Sequence, residues 1–191
     1  MDPDKPLPRA LLDANVLWSP VLRDTLLRAA ENELYLPLWT TEILGELTRT
    51  ILAKRPNVRG ASLARMIANM QDTFPGSTVE GHAPLIPAMT NHPGDRHVLA
   101  AAILGRAESI VTWNRRHFLP AAERQFGVAV VTPDTFLCQL WEDHPSILRT
   151  ILIAQGAALR PPSALAVVLD ALRRSSLHRF VDLVSDQTAL S

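Results

Sequence analysis

Three carboxylates stand at the ends or edges of apolar segments that lie far apart in the chain. Asp13 closes the run Ala10-Leu11-Leu12, Glu46 lies within TTEILGELTRTIL, and Asp95 opens onto HVLAAAIL. A polar amide, Asn114, follows Ser109-Ile110-Val111-Thr112. Oxygen donors of this kind suit a hard cation such as Mg²⁺ or Mn²⁺, and such sites activate water against phosphodiesters. A carboxylate at the end of a buried strand is expensive to bury unless something neutralises it. The four residues together predict metal-dependent hydrolysis of a phosphodiester.

Each also has an ordinary structural use. Asp13 and Asp95 suit helix N-caps, and an ionised Asp95 is favoured at a helix start by the macrodipole. Glu46 could pair with Arg49 or Thr50 on an exposed face. At roughly 100° per residue, Ile43, Leu44, Leu47 and Ile51 form one stripe, with Glu46 near its edge and Glu42 nearer the opposite face. Glu46 is therefore the expected ligand and Glu42 the expected solvent-facing residue. Arg96 and His97 are expected as solvated neighbours of the site. Asn15 is placed either to hydrogen-bond Asp13 or simply to turn the loop.

Arg115 and Arg116, with His117, form a compact basic cluster suited to phosphate or to a solvated loop. Asn15 and Thr112 join the two arginines as candidate substrate contacts. Trp18 and Trp113 flank the same loops; core packing is their expected role and base stacking the alternative. His82, His92 and His117 lack the tight spacing of a zinc site, so no zinc is expected.

The elements that must position these groups alternate. Strands are predicted at 9–13, 34–38, 77–80, 109–112 and 128–131. Helices are predicted at 20–31, 41–53, 62–74, 95–107 and 133–142, with a loop and short helix over 113–126. GHAPLIPAMTNHPG reads as a loop. Alternation of this kind implies a parallel sheet between helices, with ligands at its carboxyl edge. His144-Pro145 marks the expected boundary between a domain over 1–143 and a helical extension over 144–191. Within the extension, helices are expected at 146–157, 163–174 and 177–184, with a break at Arg160-Pro161-Pro162. That stretch is too short to fold dependably alone.

Composition limits the rest. Hydrophobic residues make up 47% and charged residues 20%, which excludes a disordered chain. Nineteen Lys and Arg balance nineteen Asp and Glu, so no global field draws in nucleic acid. The single Cys138 lies in apolar TFLCQLW and reads as core. The opening MDPDKPLPR has no leader-like apolar run and no span suits a bilayer, so no membrane partner and a cytoplasmic location are expected.

The strings LLDANVLWS, TTEILGELTRTI, GDRHVLAAAI, VTWNRRHFLP and VVTPDTFL, in that order over about residues 9–137, resemble the PIN domain of VapC-type toxins. The resemblance implies a three-layer α/β/α fold with a central parallel sheet, and a Mg²⁺- or Mn²⁺-dependent endoribonuclease. Asp13, Glu46 and Asp95 then stand as the metal-binding acids, with Asn114 orienting metal, water or phosphate. RNA is the implied substrate, a cognate antitoxin the implied inhibitor, and a homodimer a possible assembly. Asn114 stands where many members place a fourth acid, and His117 where some have Asp; one fewer carboxylate implies a single firmly held cation. Two rival readings remain: a PIN nuclease of RNA processing without an antitoxin, and a weak or inactive PIN module that binds RNA or a protein.

Overall fold

The computed structural model describes residues 6–118, 124–159 and 165–189. Four short strands, β1 (Arg9–Leu12), β2 (Leu36–Leu38), β3 (Ser109–Val111) and β4 (Ala129–Val131), run parallel in the order β2-β1-β3-β4. Ala10, Leu11 and Leu12 are buried in succession, so both faces of β1 are covered. Pro37, which has no N–H to donate, sits in the edge strand β2 opposite Ala10.

Around the sheet lie α1 (Ala14–Leu17), α2 (Pro20–Glu31), α3 (Thr41–Lys54), α4 (Gly60–Thr73) and α5 (Arg96–Leu104). Beyond β4 come α6 (Pro133–Asp143), α7 (Pro145–Ala157), α8 (Leu165–Arg174) and α9 (His178–Ala189). Helix starts follow local chemistry. Pro20 occupies the first turn of α2. Thr40 accepts from the Ile43 N–H (3.1 Å) to open α3, and Thr132 accepts from the Thr135 N–H (3.1 Å) to open α6.

Helix α5 packs on β1 and β3 and is buried from His97 to Ala102. Its end needs Gly105: a Cβ there would come within 2.9 Å of Val79 Cγ2 and 3.0 Å of Leu38 Cδ1. A side chain at 105 would push α5 off the sheet, and with it the residues that α5 carries.

The predicted α/β architecture with a parallel sheet and C-terminal helices is present, with three differences in detail. The strand expected over 77–80 reduces to a single bridge between Trp39 and Thr78. The loop before Asp95 contains 3₁₀ turns at Ala83–Ala88 and Pro93–Asp95. The one-turn helix α1 follows Asp13 directly and is too short to show a period. The break expected at Arg160-Pro161-Pro162 lies outside the described residues.

The C-terminal helices share the core rather than hang from it. Val168, Leu172, Leu177, Phe180 and Val184 are fully buried in the same cluster as Leu11 and Leu26. Gln155, itself buried, accepts from Thr25 Oγ1 (2.8 Å) and donates to the Val21 carbonyl (3.0 Å), fastening α7 to α2. His144 ends α6 and starts α7 without a linker between them. Cys138 is buried on α6, and burial pushes its thiol up to about 11, as befits an inert core residue. Among the described residues, no helix is long and apolar enough to cross a membrane.

Candidate active site

Leu12 pairs with Val111, so β1 and β3 deliver their next residues, Asp13 and Thr112, to the same end of the sheet. Asp13, 4% exposed, receives hydrogen bonds on Oδ2 from Thr112 Oγ1 and from Asn15 Nδ2, both at 2.6 Å. Asn15 also donates to Thr112 Oγ1 (3.0 Å) and accepts from the Trp113 N–H (3.1 Å). The Asn114 N–H completes the knot by donating to Thr112 Oγ1 (3.0 Å). Asn15 thus bridges two strand ends rather than merely turning a loop. Thr112 is fully buried, and its hydroxyl donates to Asp13 and accepts from Asn15 and the Asn114 N–H, which sets it against Asp13 rather than at the surface.

Burial pushes the Asp13 carboxyl above the ordinary range. The Thr112 hydrogen bond pulls it down and Asp95 pushes it up again. Asp13 and Asp95 occupy the residues before α1 and α5, yet neither side chain makes a capping hydrogen bond.

Asp95 turns instead to two histidines. His117 Nδ1 is 2.8 Å from its Oδ2, and His92 Nδ1 is 3.3 Å from the same oxygen while accepting from the Gly94 N–H. The two imidazoles stack at 4.4 Å, and the His92 N–H donates to the His117 carbonyl (2.9 Å). These residues are separated by 25 positions, so the spacing that argued against a histidine cluster could not see it. His92, Asp95 and His117 offer ligand atoms within 4.8 Å of one another.

Glu46 lines the same cleft from α3. Burial pushes its carboxyl up, His97 pulls it down, and Asp13 and Glu42 add repulsion. Glu42 is exposed, as expected of the solvent-facing residue of the pair, while Glu46 is half-buried; His97 lies between them, 4.0 Å from Glu42 and 3.7 Å from Glu46. One expectation fails here. His97 is buried rather than solvated, and its Nε2 has no hydrogen-bond partner. Glu42, Glu46 and His97 form a second group with ligand atoms within 4.8 Å.

Asp13, Glu46, Asp95 and Asn114 meet around one cleft of about 580 Å³. Arg115 and Arg116 do not line it; Arg115 Nε donates to the Val130 carbonyl (3.0 Å) on β4. The cations that do line it are Arg49 and Lys54. Their signal was in the sequence, three and eight residues beyond Glu46 on one helix side, but it reads only once Glu46 is fixed as a site residue.

The donor set fits a divalent cation. It is rich in carboxylate oxygen, its members repel one another, and among the described residues no Arg or Lys forms an ion pair with Asp13, Glu46 or Asp95. The adjoining imidazoles extend the set toward first-row transition metals.

Residues 9–116 match the PIN domain family, and residues 133–186 match the VapC50 C-terminal domain. A protein of Mycobacterium tuberculosis (strain ATCC 25618 / H37Rv), named "Putative ribonuclease VapC50", is 39% identical over 93 residues, which is 48% of this chain and 55% of that relative. The chain thus spans about half the length of the curated relative it matches. No solved structure matches. With more than half of its residues matched and the acids gathered at the sheet's carboxyl edge, the chain belongs to the PIN-domain family.

Proposed function

We propose that this protein is a Mg²⁺- or Mn²⁺-dependent endoribonuclease, the toxin of a toxin–antitoxin pair. One observation carries the reading: three acids from separate elements line one cleft, and among the described residues no Arg or Lys forms an ion pair with any of them. The name of the Mycobacterium tuberculosis relative, a ribonuclease, supports RNA as the substrate class.

Asp13, Glu46 and Asp95 would hold the cation. Bound there, it supplies Lewis-acid polarisation of a phosphate and acidifies water. The chain's own residues supply position. Asn15 and Thr112 fix the Asp13 carboxylate, and His117, with His92 stacked on its ring, fixes that of Asp95. The Asn114 amide faces the cleft as an uncharged donor to phosphate oxygen. Arg49 and Lys54 bind the flanking phosphates from the α3 wall. An antitoxin would inhibit by filling the acidic cleft, with an arginine answering the carboxylates.

Incubating total RNA with wild type and Asp95→Asn, in Mg²⁺, Mn²⁺ or EDTA, tests this. Discrete cleavage that needs both metal and Asp95 is the expected outcome; none by the folded wild type sinks the proposal. A second reading rests on Asn114, whose amide brings no charge where a fourth acid would strengthen the hold on metal. In that case the protein is a weak PIN module, and Asn114→Asp would confer cleavage that the wild type lacks.

A further inference from the structure

We propose that the cavity where α1 and α2 meet the C-terminal helices is a subsite for one nucleobase of single-stranded RNA, adjoining the acid cleft. The proposal rests on the ribonuclease reading. The cavity holds about 540 Å³, a volume suited to a small flat group.

The four tryptophans divide cleanly. Trp39 and Trp141 are buried, each with an edge-on aromatic partner, Phe74 and Phe180. Trp18 and Trp113 are only half-buried, and both line this cavity. Trp18 also lines the acid cleft, so the two spaces neighbour each other across this one residue. Trp113 is the chain neighbour of Asn114, and its backbone N–H is pinned by Asn15 Oδ1 beside Asp13. A base against Trp113 therefore belongs to a nucleotide next to the scissile phosphate.

Cations line the path between the two spaces. Lys54 Nζ lies 4.4 Å from the centre of the Trp18 ring, and the Arg55 guanidinium carbon 5.9 Å. Lys54 faces the cleft and Arg55 the cavity, so consecutive residues of one chain segment present positive charge to consecutive phosphates. Aromatic faces alternating with cations bind single strands because every base has a π-face and every nucleotide a phosphate.

The C-terminal extension builds the far wall through Ala171, Arg174, Ser175 and Ser176. The hydroxyls of Ser19 and Ser175 meet at 3.0 Å across the seam. Ser176 takes a left-handed φ of 69°, a conformation that non-glycine residues rarely adopt, and this places the α8–α9 turn against the cavity. Arg174 is paired with Asp170 at the rim, so it contributes less free charge than Arg55. The extension then serves as more than a brace for the fold: it completes the substrate site.

The test uses the full-length protein in EDTA with a labelled single-stranded RNA octamer and a set in which one base at a time is removed. In the wild type, loss of one particular base should weaken binding about tenfold. Trp113→Leu, and Ala171→Phe from the opposite wall, should each weaken the intact octamer by about the same factor and erase the penalty at that position. With metal present, both variants should raise KM more than they lower kcat. Two variants on separate elements guard against a folding defect in either. Equal binding by wild type and both variants, or an unchanged base penalty in both, overturns the subsite. Cleavage by a wild type that shows no base penalty removes the subsite and leaves the nuclease reading. A base penalty without cleavage does the reverse.

Discussion

Two aspartates of similar burial, Asp13 at 4% exposure and Asp134 at 9%, serve different ends in two regions of the molecule. At the seam with the extension, Asp134 accepts from the backbone N–H groups of Phe180 (2.9 Å) and Arg179 (3.3 Å), which open α9. Those amides have no partner within the helix, so the carboxylate answers a local need and the helix answers the carboxylate. At the sheet edge, Asp13 gathers two side-chain donors on one oxygen, yet its charged neighbours are further acids. The seam commits its buried charge to the fold. The edge gathers its acids in a cleft where, among the described residues, no Arg or Lys forms an ion pair with them, a pattern that favours a functional site.

The comparison breaks most visibly at Asp95. Asp95→Asn removes one negative charge from the cleft and keeps its shape. A loss of about 3–4 kcal/mol of charge stabilisation at the phosphate corresponds to a fall of about 10²–10³ in the rate of RNA cleavage. The melting temperature without metal should hold or rise. A large drop in melting temperature would place Asp95 with Asp134, as a structural group.

Support for Asp13 should matter less than the acids themselves. Thr112→Val deletes the hydroxyl that donates to Asp13 and accepts from Asn15 and Asn114. Groups that orient a ligand typically contribute about 10–100-fold, and that is the expected loss in cleavage or in metal affinity measured by titration. Asn15→Ala should fall in the same range, and the double variant should lose less than the product, because both substitutions undo one knot.

Asp134→Ala sharpens the other half. Removing a buried charged acceptor from two amides should cost about 2 kcal/mol, or about 4–8 °C in melting temperature for a chain of this size. Cleavage at temperatures where the variant is folded should proceed at the wild-type rate. Lost activity with unchanged melting would mean that the seam, too, carries chemistry.

Much of this contrast was legible in the sequence, for local reasons. Runs such as Ala10-Leu11-Leu12 and HVLAAAIL announce a strand and a buried helix, and the polar residue at each end then stands out. The same reasoning should have buried His97, since a helix apolar on nearly every face leaves its one imidazole no exposed side. Glu42, nearly opposite the apolar stripe of α3, is exposed as its place on the helix requires, while Glu46 at the edge of that stripe is half-buried. Non-local pairings were invisible. His92 meets His117 through a backbone hydrogen bond between two loops, and Ser19 meets Ser175 across 156 positions. Arg115 was read correctly as basic, but its direction depends on the β4 carbonyl of Val130, which no local pattern specifies.

The smallest predicted effect tests the held charge most directly. Burial and the nearby Asp95 raise the Asp13 carboxyl above its unfolded value near 3.9, so the fold favours the neutral form. The folded protein therefore loses stability as pH rises from that unfolded value through the folded one. Asp13→Asn imitates the neutral form and keeps an oxygen to accept from Thr112 and Asn15. In EDTA, the variant should be more stable than wild type above the folded value, with the gain shrinking as pH falls toward 4. Adding Mn²⁺ should reverse the order, because only the wild type retains the charge that binds it. Denaturant melts at several pH values, with and without Mn²⁺, measure both effects. A variant less stable than wild type at every pH in EDTA would show that the Asp13 charge, like that of Asp134, is already satisfied by the fold.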